Sequence, residues 1–102
     1  MRKKVPEIYY RSSRICRVLG NPTAYEILKT LAKGERRPSE IAGEFKLTIP
    51  TISDALKSLR QLDLVRYETR VDGKAYFIKD KMIITIMSQL EILVKRIKTV
   101  DY

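Results

Sequence analysis

The stretch Leu47 to Leu56, "LTIPTISDAL", places hydroxyl groups, a proline and a carboxylate at the start of an apolar-periodic segment. Its apolar residues recur at the spacing of one buried helical face, at Ile52, Leu56 and Leu59. Thr48 is placed to cap this helix, and Pro50 falls in the first turn, where no N–H is needed. The opposite face carries compact side chains instead of the long ones usual on surface helices: Pro50, Thr51, Ser53, Asp54 and Lys57. This face therefore predicts close contact with a partner through hydrogen bonds.

Catalytic chemistry has few candidate residues in this chain. There is no histidine and only one cysteine, so acid–base catalysis would need a tuned carboxylate or lysine. Cys16 lies near Ile15 and Val18 and is interpreted as a small buried hydrophobic residue rather than a nucleophile. The glycines are isolated and form no phosphate loop. The acidic residues are interpreted mostly as solvated helix positions, namely Glu26, Glu35, Glu40, Glu44 and Asp63. We predict neither enzyme activity nor a cofactor.

Length and charge point to a small domain with a polyanionic partner. A chain of 102 residues supports one domain with one modest core. Basic residues outnumber acidic ones 21 to 12, which gives a formal net charge of +9. The plain alternative is the lysine-rich surface of a thermophile protein, but that predicts a parallel rise in glutamate. The balance therefore favours nucleic acid as the partner.

We predict a cytoplasmic protein that is associated with the nucleoid when it is bound to DNA. A single cysteine excludes an intrachain disulfide and favours a reducing compartment. The start, "MRKKVPEIYYRSSR", lacks the apolar segment of a signal peptide. The most apolar segment, residues 82–100, is interrupted by charged and polar side chains, so no membrane span is predicted.

Capping and turn residues predict the elements that position the polar helix. Residues 1–5 are predicted to form a flexible basic arm. Asn21 and Pro22 are typical of a helix start, as is Pro38 further along. The predicted helices before residue 64 are 6–19, 22–34, 38–45 and 49–61. The last two, joined at Lys46-Leu47, predict a helix-turn-helix motif over residues 38–61, and the second helix of such a motif docks in the DNA major groove.

The period of the sequence changes from 3.6 to 2 after residue 64. In "LVRYETRVDGKAYFIK", β-prone and charged residues alternate, and Asp72-Gly73 predicts a two-residue type I′ hairpin turn. A hairpin directly after a recognition helix is a wing, here residues 64–79. Its basic side chains, and the close backbone approach that glycine allows, add candidate phosphate contacts at Arg66, Arg70, Gly73 and Lys74.

The final segment, Asp80 to Val100, predicts an amphipathic helix with a role in dimerisation, assigned to residues 81–100. Its apolar residues alternate at spacings of 3 and 4, as in a heptad seam. Such a long seam exceeds what a small domain needs for itself, and DNA readers of this motif usually act as two-fold dimers. We therefore predict a homodimer whose interface contains Ile8, Ile15, Leu19, Ile83, Ile86, Leu90, Leu93 and Ile97.

From about Ser12 to Ile97 the sequence resembles ArsR-type (arsenic-repressor-like) winged helix-turn-helix transcription regulators. The resemblance rests on "LGNPTAYEILKTL", "PSEIAGEF", "LTIPTISDALKSLRQLDLV" and the hairpin that follows. It implies a mainly α fold with a β-hairpin wing, in a symmetric dimer joined by the first and last helices that represses transcription from operator DNA. The resemblance places six residues in or beside the major groove, namely Thr48, Pro50, Thr51, Ser53, Asp54 and Lys57. Lys46, just before this helix, is a further candidate DNA contact.

The sequence departs from that family in two respects. Metal-sensing members carry paired cysteines in the third helix, or histidine and carboxylate ligands in the last. Because this chain has no histidine and one cysteine, no metal site of that kind is expected within one chain. Asp54 stands where the family often has a basic or neutral residue. It either accepts a hydrogen bond from cytosine N4 or interacts with the helix dipole.

Two other functions remain alternatives at this point. A non-specific architectural DNA-binding protein fits the charge, but it would need only phosphate contacts, whereas Thr51, Ser53 and Asp54 are sized to reach base edges. A winged helix used for protein contacts is disfavoured by the charge of the wing. The sequence leaves open whether Lys57 contacts a guanine edge or a phosphate. It also leaves open whether the protein represses or activates transcription. The effector is equally open: a small organic ligand, a redox event at Cys16 or no effector at all.

Overall fold

Five helices and one antiparallel hairpin follow one another along the chain. The structure is a computed structural model that describes residues 4–97. Its elements are α1 (Glu7–Leu19), α2 (Pro22–Leu31), α3 (Pro38–Phe45), α4 (Ile49–Gln61), β1 (Val65–Arg70), β2 (Gly73–Ile78) and α5 (Met82–Arg96). The predicted winged helix-turn-helix order is confirmed. Arg2 and Lys3 of the predicted basic arm, and Val100 of the predicted seam, lie outside the described residues.

Side-chain caps start three of the helices at the predicted places. The Asn21 side chain accepts a hydrogen bond from the backbone N–H of Ala24 at 3.1 Å, which caps α2. The Thr48 hydroxyl accepts from the backbone N–H of Thr51 at 3.3 Å, which caps α4. At α3 the Glu40 carboxylate accepts from the backbone N–H of Arg37 at 2.9 Å. These bonds satisfy N–H groups that have no partner within the helix.

The core lies beneath the helix-turn-helix and joins it to α2 and the hairpin. The three predicted apolar residues of α4 have no exposed surface. The other fully buried large side chains come from four further elements: Ile27, Leu28, Ile41, Val65 and Met87. Truncating a side chain in such a position to alanine typically costs about 2–5 kcal/mol. The core therefore holds α4 firmly against α2 and α3.

Helix α5 uses only part of its apolar surface within its own subunit. Its buried residues are Ile83 and Met87. Ile84 is half-buried, and the other large apolar side chains of the helix are exposed by 40% or more: Met82, Ile86, Leu90, Ile92, Leu93 and Val94. The radius of gyration is 15.6 Å, against about 13 Å for a compact domain of this size. No helix of the described part of the chain is both long and apolar enough to cross a lipid bilayer.

Three predictions about α1 and α5 need correction. Helix α5 ends at Arg96, and Ile97 is extended with φ −71° and ψ 121°, so the helix is shorter than the predicted 81–100. Ile83, which we predicted at the dimer interface, is only 4% exposed because the first turns of α5 pack on the subunit's own core. Cys16, which we predicted to be buried, is exposed because it projects from a different face of α1 than the half-buried Ile15 and Val18.

The turn of the hairpin also differs from the prediction. Arg70 pairs with Gly73, so Val71 and Asp72 are the two central residues. Neither has a positive φ, whereas Gly73 has φ +120°. A type I′ turn needs positive φ at both central positions, and β-branched Val71 disfavours that conformation. The predicted Asp72-Gly73 type I′ turn is therefore wrong, and Gly73 supplies the unusual conformation one position later.

A polar contact fastens α5 to α2. The Tyr25 hydroxyl donates to the Glu91 carboxylate at 2.6 Å, and the Lys29 ammonium donates to it at 3.1 Å. The bond from Tyr25, followed by that from Lys29, lowers the pKa of Glu91. The same bond to Glu91, with desolvation, raises the pKa of Tyr25 to about 12.

These shifts fix the pH range of the contact. The lowered pKa of Glu91 means that folding favours its ionised form. That contribution to stability is present above the ordinary carboxyl pKa and is lost as the pH falls through the lowered value. The raised pKa of Tyr25 means that folding favours the neutral phenol. Its contribution is present below a pH of 10.0 and is lost as the pH rises through about 12.

We expect Tyr25→Phe to lower the free energy of unfolding by about 1 kcal/mol at neutral pH, as for a typical hydrogen bond. Glu91→Gln should also be destabilising at neutral pH, and its effect should fade in acid as the wild-type carboxyl becomes protonated. Urea unfolding at about pH 7 and about pH 3 measures both. Glu26→Gln, an exposed change on α2, is the control. A loss for Glu91→Gln that is equal at both pH values would contradict this assignment.

Candidate nucleic-acid interface

Helix α4 presents a polar face to solvent because its apolar face is fully buried. Most of the predicted recognition residues are exposed there: Pro50, Thr51, Asp54 and Lys57. Ser58 and Gln61 continue the same exposed face toward the end of the helix. Ser53 is half-buried and lies at the margin of this face. The exposed residues are mostly short, so a partner can approach the helix backbone closely.

The first turn of α4 has its hydroxyl groups bonded to each other. The oxygens of Thr48 and Thr51 lie 2.8 Å apart, and either can be the donor. Thr48 also caps the helix, as described above. Asp54 forms no ion pair with any residue in the range 4–97. Thr48 is therefore committed to the helix start, while the Asp54 carboxylate stays available to a partner.

The turn between α3 and α4 depends on Lys46. This residue has the left-handed conformation, with φ 57° and ψ 42°. The backbone N–H of Leu47 then bonds back to the carbonyl of Ala42 at 3.0 Å, which closes the end of α3. The exposed Lys46 side chain consequently lies just before α4, where a helix-turn-helix protein meets the nucleic-acid backbone.

The loop between α2 and α3 holds the hairpin in place beside α4. Arg36 and Tyr76 exchange backbone hydrogen bonds of 3.0 and 2.8 Å, so this loop adds a third, single-residue bridge to the sheet. Arg37 forms an ion pair with Asp72 at the hairpin turn. On the other side of the hairpin, the Arg60 guanidinium of α4 lies 5.4 Å from the Tyr67 ring centroid. The hairpin is thus fixed both to the loop and to α4.

The basic residues predicted on the hairpin are engaged within the molecule. Arg70 binds Glu35 at 2.8 Å and Glu68 at 3.1 Å, and the bond to Glu35 raises the pKa of Arg70. Arg66 lies 3.4 Å from Asp63. The Lys74 ammonium lies 4.6 Å from the Tyr67 ring centroid. All three basic side chains remain exposed, so they can still reach an anionic ligand by exchanging these partners.

Sequence reasoning missed these ion pairs. The prediction of a solvated helix position is wrong for Glu35 and Asp63, whereas Glu40 is an exposed residue of α3. Glu35 and Asp63 lie in loops and bind Arg70 and Arg66, while Glu40 caps α3. Asp63 also binds Lys79, and this bond lowers the pKa of the Asp63 carboxyl. Pairs such as Glu35 with Arg70 are 35 residues apart, so only the fold brings them together.

The two groups of predicted residues occupy different regions. Those on α4 and the hairpin share one surface, since Arg60 and Lys74 both contact the Tyr67 ring. The predicted dimer residues fall into three sets: Ile83 is buried, Ile15 and Leu19 are half-buried, and the others are exposed, namely Ile8, Ile86, Leu90, Leu93 and Ile97. Within residues 4–97 there is no group of three or more histidine, cysteine or carboxylate side chains that could hold a metal ion. The absence of a metal effector stays a prediction.

Residues 21–67 match the family model of the bacterial regulatory protein, arsR family. This segment, 47 of the 102 residues, is thus similar to arsR-family regulatory proteins. The matched segment runs from the Asn21 cap through α4 into β1. The family consists of regulatory proteins, which confirms the prediction that the chain is not an enzyme. No curated protein has significant sequence similarity to the chain.

Several solved structures share the fold of this chain. A homodimeric winged helix-turn-helix DNA-binding domain from Mycobacterium bovis, a possible ArsR-family regulator, is 20% identical, with a TM-score of 0.81 over 100% of this chain and 97% of that one. NolR from Sinorhizobium fredii is 22% identical, with a TM-score of 0.78 over 91% and 96%. The transcriptional repressor BigR from Xylella fastidiosa is 19% identical, with a TM-score of 0.75 over 83% and 87%.

The Thr48 cap of α4 should contribute to the stability of the domain. We expect Thr48→Ala to lower the free energy of unfolding by about 1 kcal/mol, because an N-terminal N–H loses its partner. Thr48→Ser keeps the hydroxyl and should stay near the wild type. Thr51→Ala removes only the bond between the hydroxyls and should cost less than Thr48→Ala. Urea unfolding of the three variants tests this order. A Thr48→Ala variant as stable as the wild type would show that the cap contributes nothing.

Proposed function

We propose that the protein is a homodimeric, sequence-specific double-stranded DNA-binding regulator of transcription that acts in the cytoplasm, on the nucleoid, as a repressor. The observation that carries this proposal is the exposed polar face of α4, which lies beside a hairpin that bears basic residues. In a helix-turn-helix protein this arrangement places the second helix in the major groove and the hairpin on the adjacent backbone. The ArsR-family match supports the same function.

The side chains on α4 suit the reading of base edges at short range. Thr51 and Ser53 carry hydroxyls that can donate or accept, and Lys57 can contact a guanine edge or a phosphate. The free Asp54 carboxylate fits acceptance of a hydrogen bond from cytosine N4. A non-specific architectural protein would have no use for such groups, since phosphate contacts alone would suffice. Sequence-specific binding is therefore the better account.

The hairpin and the turn before α4 supply the candidate phosphate contacts. Lys46 precedes the recognition helix, and Arg66, Arg70 and Lys74 lie on the hairpin strands. Arg70 must exchange Glu35 and Glu68 for a phosphate. The free-energy cost of this exchange is small, because exposed ion pairs contribute little to stability. The φ of Gly73 keeps the turn tight, and its missing side chain leaves room for a close approach of the backbone.

The exposed apolar surface of α1 and α5 supports dimer formation. Ile8 on α1 and Leu90, Leu93 and Ile97 on or after α5 are each at least 40% exposed in the single subunit. Burial of apolar surface contributes roughly 25 cal/mol per Å2, and stable dimers use extended apolar interfaces. The structurally similar Mycobacterium bovis domain is homodimeric. With no histidine and one cysteine per chain, we propose no transition-metal effector.

Selection of bound duplexes from a random pool tests the function most directly. We expect a preferred, two-fold related sequence, and Thr51→Ala and Asp54→Ala should change the preference by about 1–3 kcal/mol wherever the side chain touches a base. Glu26→Gln on α2, which like Asp54→Ala removes one negative charge, is the control for altered charge. If the selected and scrambled duplexes bind equally, and the α4 variants weaken both alike, the protein is architectural and does not read sequence.

Glu35 should restrain DNA binding through its ion pair with Arg70. We expect Glu35→Gln to raise the affinity for selected and scrambled duplexes alike, because the Arg70 guanidinium then exchanges fewer partners for a phosphate. Glu26→Gln makes the same change in net charge on α2, where Glu26 forms no ion pair with a described residue. Titration by fluorescence anisotropy at several salt concentrations compares the two variants. Equal gains would mean that net charge alone, and not release of Arg70, raises the affinity.

The dimer interface can be disrupted from α5. Leu90→Glu together with Leu93→Glu would place four carboxylates in an apolar dimer interface, so we expect monomers, or chains that unfold for lack of a partner. Sedimentation velocity at micromolar concentration distinguishes these states. Lys95→Glu, an exposed change on the same helix, is the control for added negative charge. A wild-type protein that sediments as a monomer would refute the proposed assembly.

A further inference from the structure

Helix α1 carries a row of arginines that form no ion pair in the part of the chain that the structure describes. Arg11, Arg14 and Arg17 lie on successive turns and are all exposed. No carboxylate in residues 4–97 forms an ion pair with them, including Glu7, which lies one turn before Arg11. The hairpin arginines, by contrast, are each paired with a carboxylate, as described above. In the α1 row, therefore, no paired carboxylate among the described residues competes with an anion.

This row borders α4, the proposed recognition helix. Arg14 and Arg17 line a groove together with Ser58 and Gln61 of α4. Arg17 also lines a second depression with Ala55 and Ser58. Arg11 and Arg14 line a further depression with Gln61 and Asp63, and the Asp63 carboxylate binds Lys79 and Arg66. The arginines thus run alongside the middle and the end of the recognition helix.

The row and the hairpin flank α4 on opposite sides. Arg60 of α4 points to the hairpin, since its guanidinium lies near the Tyr67 ring. Ser58 lines the groove beside α1, and residues two apart on a helix point in nearly opposite directions. A helix in the major groove is bordered by one phosphate backbone on each side. The hairpin can serve one of these backbones, and the α1 row is placed for the other.

Different faces of α1 separate this role from dimerisation. Around the helix, Ile8 projects about 120° from Arg14 and about 180° from Arg17, and it is exposed. The Arg14 guanidinium lies 6.0 Å from the Tyr10 ring centroid, on its own face of the helix. An apolar contact between subunits through Ile8 therefore leaves Arg14 and Arg17 facing α4.

We propose that Arg14 and Arg17, continued by Arg11, form a second phosphate-binding surface that holds the DNA backbone on the side of α4 away from the hairpin. This inference rests on the proposed DNA-binding function and adds contacts outside the helix-turn-helix and the wing. The contacts are to phosphate, so they increase affinity for every duplex without changing sequence preference.

The test compares Arg14→Gln/Arg17→Gln with Lys33→Gln/Lys81→Gln. Both double variants remove two positive charges per subunit, and the lysines line a separate groove between α2, β2 and α5. Binding to selected and scrambled duplexes is measured by anisotropy at several salt concentrations. We expect the arginine variant to lose roughly tenfold or more in affinity for both duplexes. Its salt slope should fall by about 0.9 for each phosphate that is no longer neutralised, while the lysine variant keeps the wild-type slope.

A third variant, Arg14→Lys/Arg17→Lys, keeps the charge and should recover most of the slope. Equal slopes for the wild type and the Arg→Gln variant would overturn the inference, as would equal losses for the arginine and lysine variants. An Arg→Gln variant that sediments as a monomer would also overturn it, because the arginines would then belong to the dimer interface. If wild-type protein binds the selected duplex no better than the scrambled one, the proposed function fails, whatever the arginine variants do.

Discussion

The burial of one face of α4 determines the orientation of nearly every other feature of the proposed site. Ile52, Leu56 and Leu59 leave no surface exposed, and each is held in a core that α2 and α3 complete. Rotating α4 about its axis would expose these side chains and bury polar ones, at a cost of several kcal/mol. The polar face is consequently fixed toward solvent. Short side chains on that face project from a rigid support rather than from a mobile loop.

Charge is distributed unevenly over this rigid frame. The net charge of +9 attracts any polyanion, but its distribution decides which surfaces hold one. On the hairpin, Arg70 and Arg66 are partly neutralised by Glu35, Glu68 and Asp63. The arginines of α1 have no such partners among the described residues. Ion pairs on the hairpin therefore order the wing and restrain its affinity for phosphate, whereas α1 offers charge without that restraint.

Helix α2 connects the proposed DNA-binding surface to the proposed dimer surface. Its apolar residues pack in the same core as α4, and its polar residues Tyr25 and Lys29 bind Glu91 of α5. A displacement of α5 would strain these bonds, and the close packing of the core would pass the strain toward α4. The position of the recognition helix is therefore linked, through α2, to the position of α5 in the proposed dimer.

Much of the local structure, and the resemblance to arsR-family regulators, could be predicted from the sequence. Neighbouring residues set the helix caps at Asn21 and Thr48, the buried stripe of α4 and the change of period at the hairpin. The tertiary structure alone decided what depends on distant contacts: the pairing of Glu35 with Arg70, the burial of Ile83 in its own core, and the arginines of α1 beside α4. The physical reason is that ion pairs and shared faces depend on distances in space, and sequence spacing specifies such distances only within a helix, a strand or a turn.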